Sequence, residues 1–205
     1  MERKLIRPFG EHGMDYESEE ITKLKDRLEF PNATDWAIYQ AKVLYEAFGD
    51  VEKAIEILET EHNRFPQDAN VMFCLAECYS RTKDHLERAV ELCTTGLSTD
   101  VFSDYGYTVK ARAQLALGRL IDCYVSAMEA LKRRTDNFEA GIYLGTVGFA
   151  IAVANKDAEE MRLSTENLRI TQKLFPGSRI VTRLIEENEM RLAEFVKNNP
   201  DPAGH

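Results

Sequence analysis

Two thiols stand one helical turn apart in this chain, Cys74 and Cys78, a spacing that aims both side chains at one side and could supply half of a soft-metal site. Nothing completes the set. His12, His62 and His85 are isolated in sequence, and the four cysteines (Cys74, Cys78, Cys93, Cys123) include no CxxC pair. All four lie within helical patterns at positions that want small apolar groups, so they read as reduced core residues. Gly141, Gly145 and Gly148, followed by Ala152, form a strip down one helical face. A phosphate loop would need a strand before the glycines and Lys-Ser or Lys-Thr after them, and both are missing. The strip therefore predicts close contact with another helix, either the second helix of the same helical pair, a helix of the preceding pair, or a second copy of the chain. Neither Gly-x-Ser-x-Gly nor His-Glu-x-x-His occurs, and the acidic residues are spread as helix surface and caps. No catalytic residue, metal or cofactor is assigned.

Charge narrows the partner class. With 26 basic and 35 acidic residues the 205-residue chain carries a formal charge of −9, which opposes nucleic acid and anionic membranes. The longest apolar run, Ala140 to Ala154, has 15 residues and three glycines. A bilayer needs about 20 residues, so this run reads as a buried helix and no membrane insertion is expected. Residues 1–20 hold Arg3, Lys4 and Arg7 without a following apolar stretch, so no secretory signal is read and the cytoplasm is the expected compartment.

The elements that must position these residues repeat. Phe30-Pro31 returns as Phe65-Pro66 after 35 residues, and Ala54, Ala89 and Cys123 follow at intervals of 35 and 34. Such a period marks stacked helix pairs, each too thin to bury its apolar faces alone. Complete pairs are expected over 35–68, 69–103 and 104–137, with turns at Gly49 and Gly118 and a capping box from Asp84 to Glu87. A fourth pair over 138–177 is irregular, because Pro176 comes seven residues late. The extra residues fit a longer turn around Asn155 to Glu160 or a lengthened helix. Residues 15–34 read as an amino-terminal half-repeat that caps one end, and 178–197 as an amphipathic capping helix at the other. Segments 1–14 and 198–205 show no periodicity and are expected to be frayed or disordered.

These residues resemble the tetratricopeptide repeat, a 34-residue helix-turn-helix unit. Its pattern puts a small residue at place eight and an aromatic at eleven, here Lys42, Ala76, Ala111 and Gly145, then Tyr45, Tyr79, Gln114 and Gly148. The small residue at place twenty is kept as Ala54, Ala89 and Cys123, whereas the proline of place thirty-two survives only as Pro66, against Val101 and Thr135. The resemblance implies an all-α, right-handed superhelical solenoid with terminal capping helices, no enzymatic activity, and a role as a protein-interaction adaptor. It also implies a concave groove lined by the second, fifth, ninth and twelfth places of each first helix. Those are Trp36, Tyr39, Val43 and Glu46; Asn70, Phe73, Glu77 and Ser80; Tyr105, Thr108, Arg112 and Leu115; Glu139, Ile142, Thr146 and Phe149. Five of the sixteen are aromatic in a chain that is 9% aromatic overall, which marks the groove as apolar and aromatic-lined. The clamp by which relatives grip acidic chaperone tails would need Lys, Asn and Arg where this chain has Tyr39, Val43, Cys74, Tyr105 and Val109. The expected ligand is instead a peptide or helix held by apolar anchors, with a basic residue near Glu46 or Glu77. A secretion-type chaperone is one alternative. Another is a homo-oligomer in which Leu5, Ile6 and Phe9 of one copy enter the groove of the next.

Overall fold

The computed structural model describes residues 32–199, so expectations for 1–31 and 200–205, including Phe30-Pro31 and most of the amino-terminal half-repeat, lie outside the described residues. Nine α-helices follow one another and no strand occurs among the described residues. They are α1 (Ala33–Val43, continued by one π turn, Leu44–Phe48), α2 (Val51–Arg64), α3 (Ala69–Tyr79), α4 (Leu86–Thr99) and α5 (Asp104–Ala116). The rest are α6 (Leu120–Arg133), α7 (Phe138–Asn155), α8 (Ala158–Leu174) and α9 (Arg179–Asn198).

Short polar side chains start most of these helices. Asn32, Asp50, Asp68, Ser103, Asn137, Asp157 and Ser178 each accept a backbone N–H from the first turn, satisfying donors that have no partner inside the helix. Gly49 and Gly118 turn the chain at φ +74° and +73°, the left-handed region in which a Cβ is costly. The expected capping box before α4 does not form. Lys83–His85 make one turn of 3-10 helix instead, and α4 starts at Leu86 without a side-chain cap.

The helices stack as antiparallel pairs, α1 with α2 through α7 with α8, and α9 lies along α8. Crossings are tight because small residues sit there: Ala54, Ala76, Ala89, Ala111 and Cys123 are all fully buried. First helices of successive pairs also touch, α1 to α3, α3 to α5 and α5 to α7. They form the inner layer of an all-α solenoid. Its cysteines are buried, and burial pushes the thiols of Cys78, Cys93 and Cys123 up to about 12 and that of Cys74 to about 11.

The fourth pair departs from the others in length. α7 has 18 residues against 13 in α5, and α8 has 17 against 14 in α6. The late proline therefore reflects two lengthened helices, while the turn itself shrinks to Lys156 and Asp157. The glycine strip explains how so apolar a helix is held. An added Cβ at Gly141 would lie 2.4 Å from Thr171 Oγ1, at Gly145 2.4 Å from Leu168 Cγ, and at Gly148 2.7 Å from Ser164 Oγ. These three contacts are on α8, so the strip is mainly the seam within its own pair, and Gly148 also meets the preceding pair, where Tyr124 Cε2 on α6 would lie 2.9 Å from the added Cβ. By length and composition α7 could span a bilayer, and 44% of it is buried inside the protein.

Candidate interaction surface on the inner helices

The inner layer is fastened by a polar chain anchored on one buried carboxylate. Glu77 on α3 is 6% exposed, and its carboxylate takes a hydrogen bond from the Tyr45 hydroxyl on the π turn at 2.8 Å and another from the Tyr105 hydroxyl on α5. Its other oxygen accepts Arg112 Nη1 at 2.9 Å and Arg81 Nη2 at 3.3 Å. Arg112 continues to α7, with Nε and Nη2 donating to the two oxygens of Glu139 at 2.8 and 2.6 Å. Tyr143 donates to Glu139 as well. A two-pronged contact of this kind fixes geometry as well as charge. One guanidinium thus ties together the second, third and fourth pairs, and Tyr45 adds the first.

The local electrostatics follow from these contacts. Burial alone would raise the Glu77 carboxyl, but hydrogen bonds from Arg112, Tyr105 and Tyr45 outweigh it and hold the group at about 2. Burial and the adjacent Glu77 carboxylate push the Tyr45 and Tyr105 hydroxyls well above their ordinary value. Desolvation would lower Arg112, yet Glu139 and Glu77 raise it, so the cation is locked on. A carboxylate depressed from 4.5 to about 2 contributes stability that is complete above pH 4.5 and drains away as pH falls toward 2. Denaturant titrations at pH 7 and at pH 3 and below should show the loss, of order 3 kcal/mol. In Glu77→Gln this acid-dependent component should vanish, and an unchanged slope would remove Glu77 as its source.

The expected groove residues fall into three groups. Trp36, Tyr39, Val43, Tyr105, Arg112 and Ile142 are half-buried on the inner layer, and Glu46 and Asn70 are exposed. Trp36 and Tyr39 stack at 5.9 Å between ring centroids. Phe73, Thr108 and Phe149 are corrections: they are 0%, 5% and 1% exposed and form the wall's interior, not its surface. Phe73 fills the space left by two missing side chains, since a Cβ at Gly96 or Gly106 would approach its ring to 2.6 Å. Thr108 donates to Asp104 O and accepts from Asn137 Nδ2, both at 2.8 Å. Phe149 is covered by α9, with Arg191 over its ring at 5.2 Å. Glu77 is a correction of a different kind. Its carboxylate is already taken by the protein's own donors, so it offers nothing to a basic ligand residue, whereas Glu46 is exposed.

Sequence reasoning missed Tyr45, Arg81 and Tyr143 as members of the polar chain, and Lys42, whose ammonium sits 5.2 Å from the Tyr105 ring centre. One signal was present. Glu77 and Arg112 occupy the same ninth place of successive repeats with opposite charge, which is the pattern of a ladder along the inner face. Cys74 and Cys78 gain no further ligands, and no group of three or more His, Cys, Asp or Glu among the described residues could hold a metal.

No protein-family model matches the sequence, and no curated protein matches it. Solved structures do match. TTC0263, a thermophilic TPR protein of Thermus thermophilus, superposes with a TM-score of 0.62 at 17% identity, covering 88% of this chain and 91% of that one. MamA gives 0.59 at 17% identity, over 78% of this chain and 87% of its own. YrrB, described as a TPR protein with an unusual peptide-binding site, gives 0.58 at 13% identity, over 91% and 93%. At such identities the likeness is one of fold.

Proposed function

Starting from a chain that folds as a tetratricopeptide-repeat solenoid, we propose that it is a non-enzymatic interaction scaffold that takes a peptide or helix of another protein along its inner face. The observation that carries this reading is the Glu77–Arg112–Glu139 chain, anchored on buried Glu77. With the Tyr45 hydroxyl on Glu77 it ties the first helices of all four pairs side by side and so sets inner-face side chains such as Val43, Asn70 and Ile142 at fixed spacing before any ligand arrives. Preorganised apolar and aromatic surface binds without the entropy cost of ordering itself. The peptide-binding site of the structural neighbour YrrB supports the same use of the fold. The net charge of −9 favours protein over nucleic acid as ligand, and the cytoplasm is the compartment we assign.

The test uses inner-face substitutions at exposed Asn70 and at Ile142, which is half-buried against the Leu168, Val181 and Ile185 cluster. Far-UV circular dichroism therefore first establishes that the variant keeps the helical content of the full chain. The full chain and an Asn70→Arg, Ile142→Glu variant serve as parallel baits, with Thr95→Arg on the exposed side of α4 as the control. A specific prey should be retained by the full chain and the control, and its affinity should drop at least about tenfold, roughly 1.4 kcal/mol, for the inner-face variant. Equal capture by all three baits would overturn the inner face as the binding surface.

A further inference from the structure

The first inner helix is out of step with the others by one residue, and a π turn is the reason. Gly118 follows Ala111 by seven residues, whereas Gly49 follows Ala41 by eight. The π turn Leu44–Phe48 absorbs the extra residue, with Gly49 N–H donating to Leu44 O. Single turns of this kind inside α-helices recur at functional sites. Their effect here is on register. The small residue at the crossing of α1 is Ala41, fully buried like Ala76 and Ala111, which follow it at intervals of 35. Lys42, which a count from Asp35 puts at that crossing, stands instead at the ninth place, in line with Glu77 and Arg112.

The three ninth-place charges are not equivalent. Arg112 is held between Glu77 and Glu139, and Arg81 also donates to Glu77. Lys42 is half-buried, and its ammonium reaches across α3 to lie 5.2 Å from the centre of the Tyr105 ring on α5. Among the described residues no carboxylate comes within ion-pairing distance of it, exposed Glu46 one turn further on included. An ammonium carries three donors. The ring face attracts the cation and fixes where it sits, but it leaves those donors without a strong acceptor. A positioned, partly desolvated cation on a face where Arg81 and Arg112 are already matched is complementary to one further carboxylate.

We infer that Lys42 anchors an acidic side chain of the ligand, so that the segment taken by the inner face carries Asp or Glu at one fixed position. The inference rests on the inner-face reading given above, and it replaces the basic ligand residue expected opposite Glu77. The carboxylate belongs to a side chain because the face continues beyond Lys42 on both sides. Val43 adjoins it on α1, and Ile142 lies on α7, past Tyr105 and Arg112. A segment that spans them runs over Lys42 and does not end there. Added salt should weaken the complex by screening this contact.

The experiment is selection from a library of random peptides displayed through their carboxyl ends, so that side chains alone supply carboxylates. The baits are the full chain, Lys42→Met, Lys42→Arg and the Asn70→Arg, Ile142→Glu variant, each first shown by circular dichroism to keep its helical content. The full chain and Lys42→Arg should enrich peptides with Asp or Glu at one position, and Lys42→Met should lose that preference. The best such peptide, synthesised with both ends blocked, should bind Lys42→Met at least about tenfold more weakly than the full chain. Its Asn or Gln counterpart should bind the two proteins alike, because the contact is then already absent. Acidic enrichment that survives in Lys42→Met overturns the anchor and leaves the inner-face reading standing. So does a preference for basic or uncharged peptides that the Asn70→Arg, Ile142→Glu variant abolishes. Equal capture by all four baits, or no enrichment at all, overturns the inner-face reading and the anchor with it.

Discussion

Arg112→Met should lower the unfolding free energy by about 3–5 kcal/mol, the usual cost of stranding a buried charge by removing its partner. The side chain is 24% exposed, while that of Glu77 is only 8% exposed, so the carboxylate left behind has little access to water. Tyr45, Tyr105 and Arg81 would remain on Glu77, but the two tyrosines are neutral and Arg81 reaches it only at 3.3 Å. Glu139 would lose both of its guanidinium bonds at the same time. Arg112→Lys should recover less than half of the loss, because one ammonium cannot grip Glu139 with two parallel bonds and still reach Glu77. Denaturant unfolding of the three proteins at pH 7 checks this. A loss below about 1 kcal/mol for the methionine variant would mean the chain of charges has only the worth of an exposed ion pair.

Gly145→Leu is expected to be at least as damaging, and even Gly145→Ala should destabilise. Alanine would gain about 1 kcal/mol over glycine in helix propensity. Against that, its Cβ would meet Leu168 Cγ at 2.4 Å and the Ser164 carbonyl oxygen at 3.1 Å. Leu168 is fully buried, and the near atom is its branch point, so it has no free end to swing aside. Overpacking of this kind typically costs about 1–3 kcal/mol, and α7 and α8 must move apart to relieve it. The net effect for alanine should be a loss of about 1–2 kcal/mol, and for leucine of about 4 kcal/mol or more. Gly177→Ala is the control, since nothing lies within 4 Å of its added methyl. Pairing Gly145→Ala with Leu168→Ala should cost less than the sum of the two, because one vacated volume receives the other's excess. Strict additivity would show that the two residues do not share the seam.

The contrast between these two sites explains what could be read from the residues alone. The repeat was legible because it is written in local chemistry: glycines at left-handed turns, small residues at crossings, and short polar caps. The glycine strip could be read as a helix seam, since no other residue permits such approach, although a strip of glycines does not say which helix it meets. Phe73 and Phe149 misled because place in the repeat gives the face of a helix and not what lies over it. Gly96 and Gly106, which make room for Phe73, come from two other helices, and α9, which roofs Phe149, lies outside the regular array. Glu77 misled for a related reason. A carboxylate on an inner face looks available to a ligand until tyrosines from two neighbouring helices are found to be donating their hydrogens to it.

The lengthened fourth pair also bears on how many repeats such an array can have. A solenoid of equal units offers the same surface at its end as at every internal joint, so nothing in its geometry says where to stop. Here α7 and α8, at 18 and 17 residues, present an end taller than the helices of the second and third pairs, of 11 to 14 residues, could cover, and the 20-residue α9 spans it. Duplication of a regular repeat would be tolerated upstream of α7, where heights match, but a regular copy placed after α8 would leave part of the taller pair bare. The face that the lengthened pair turns toward α9 thus differs in height from the joints between regular repeats, and α9 is long enough to cover it.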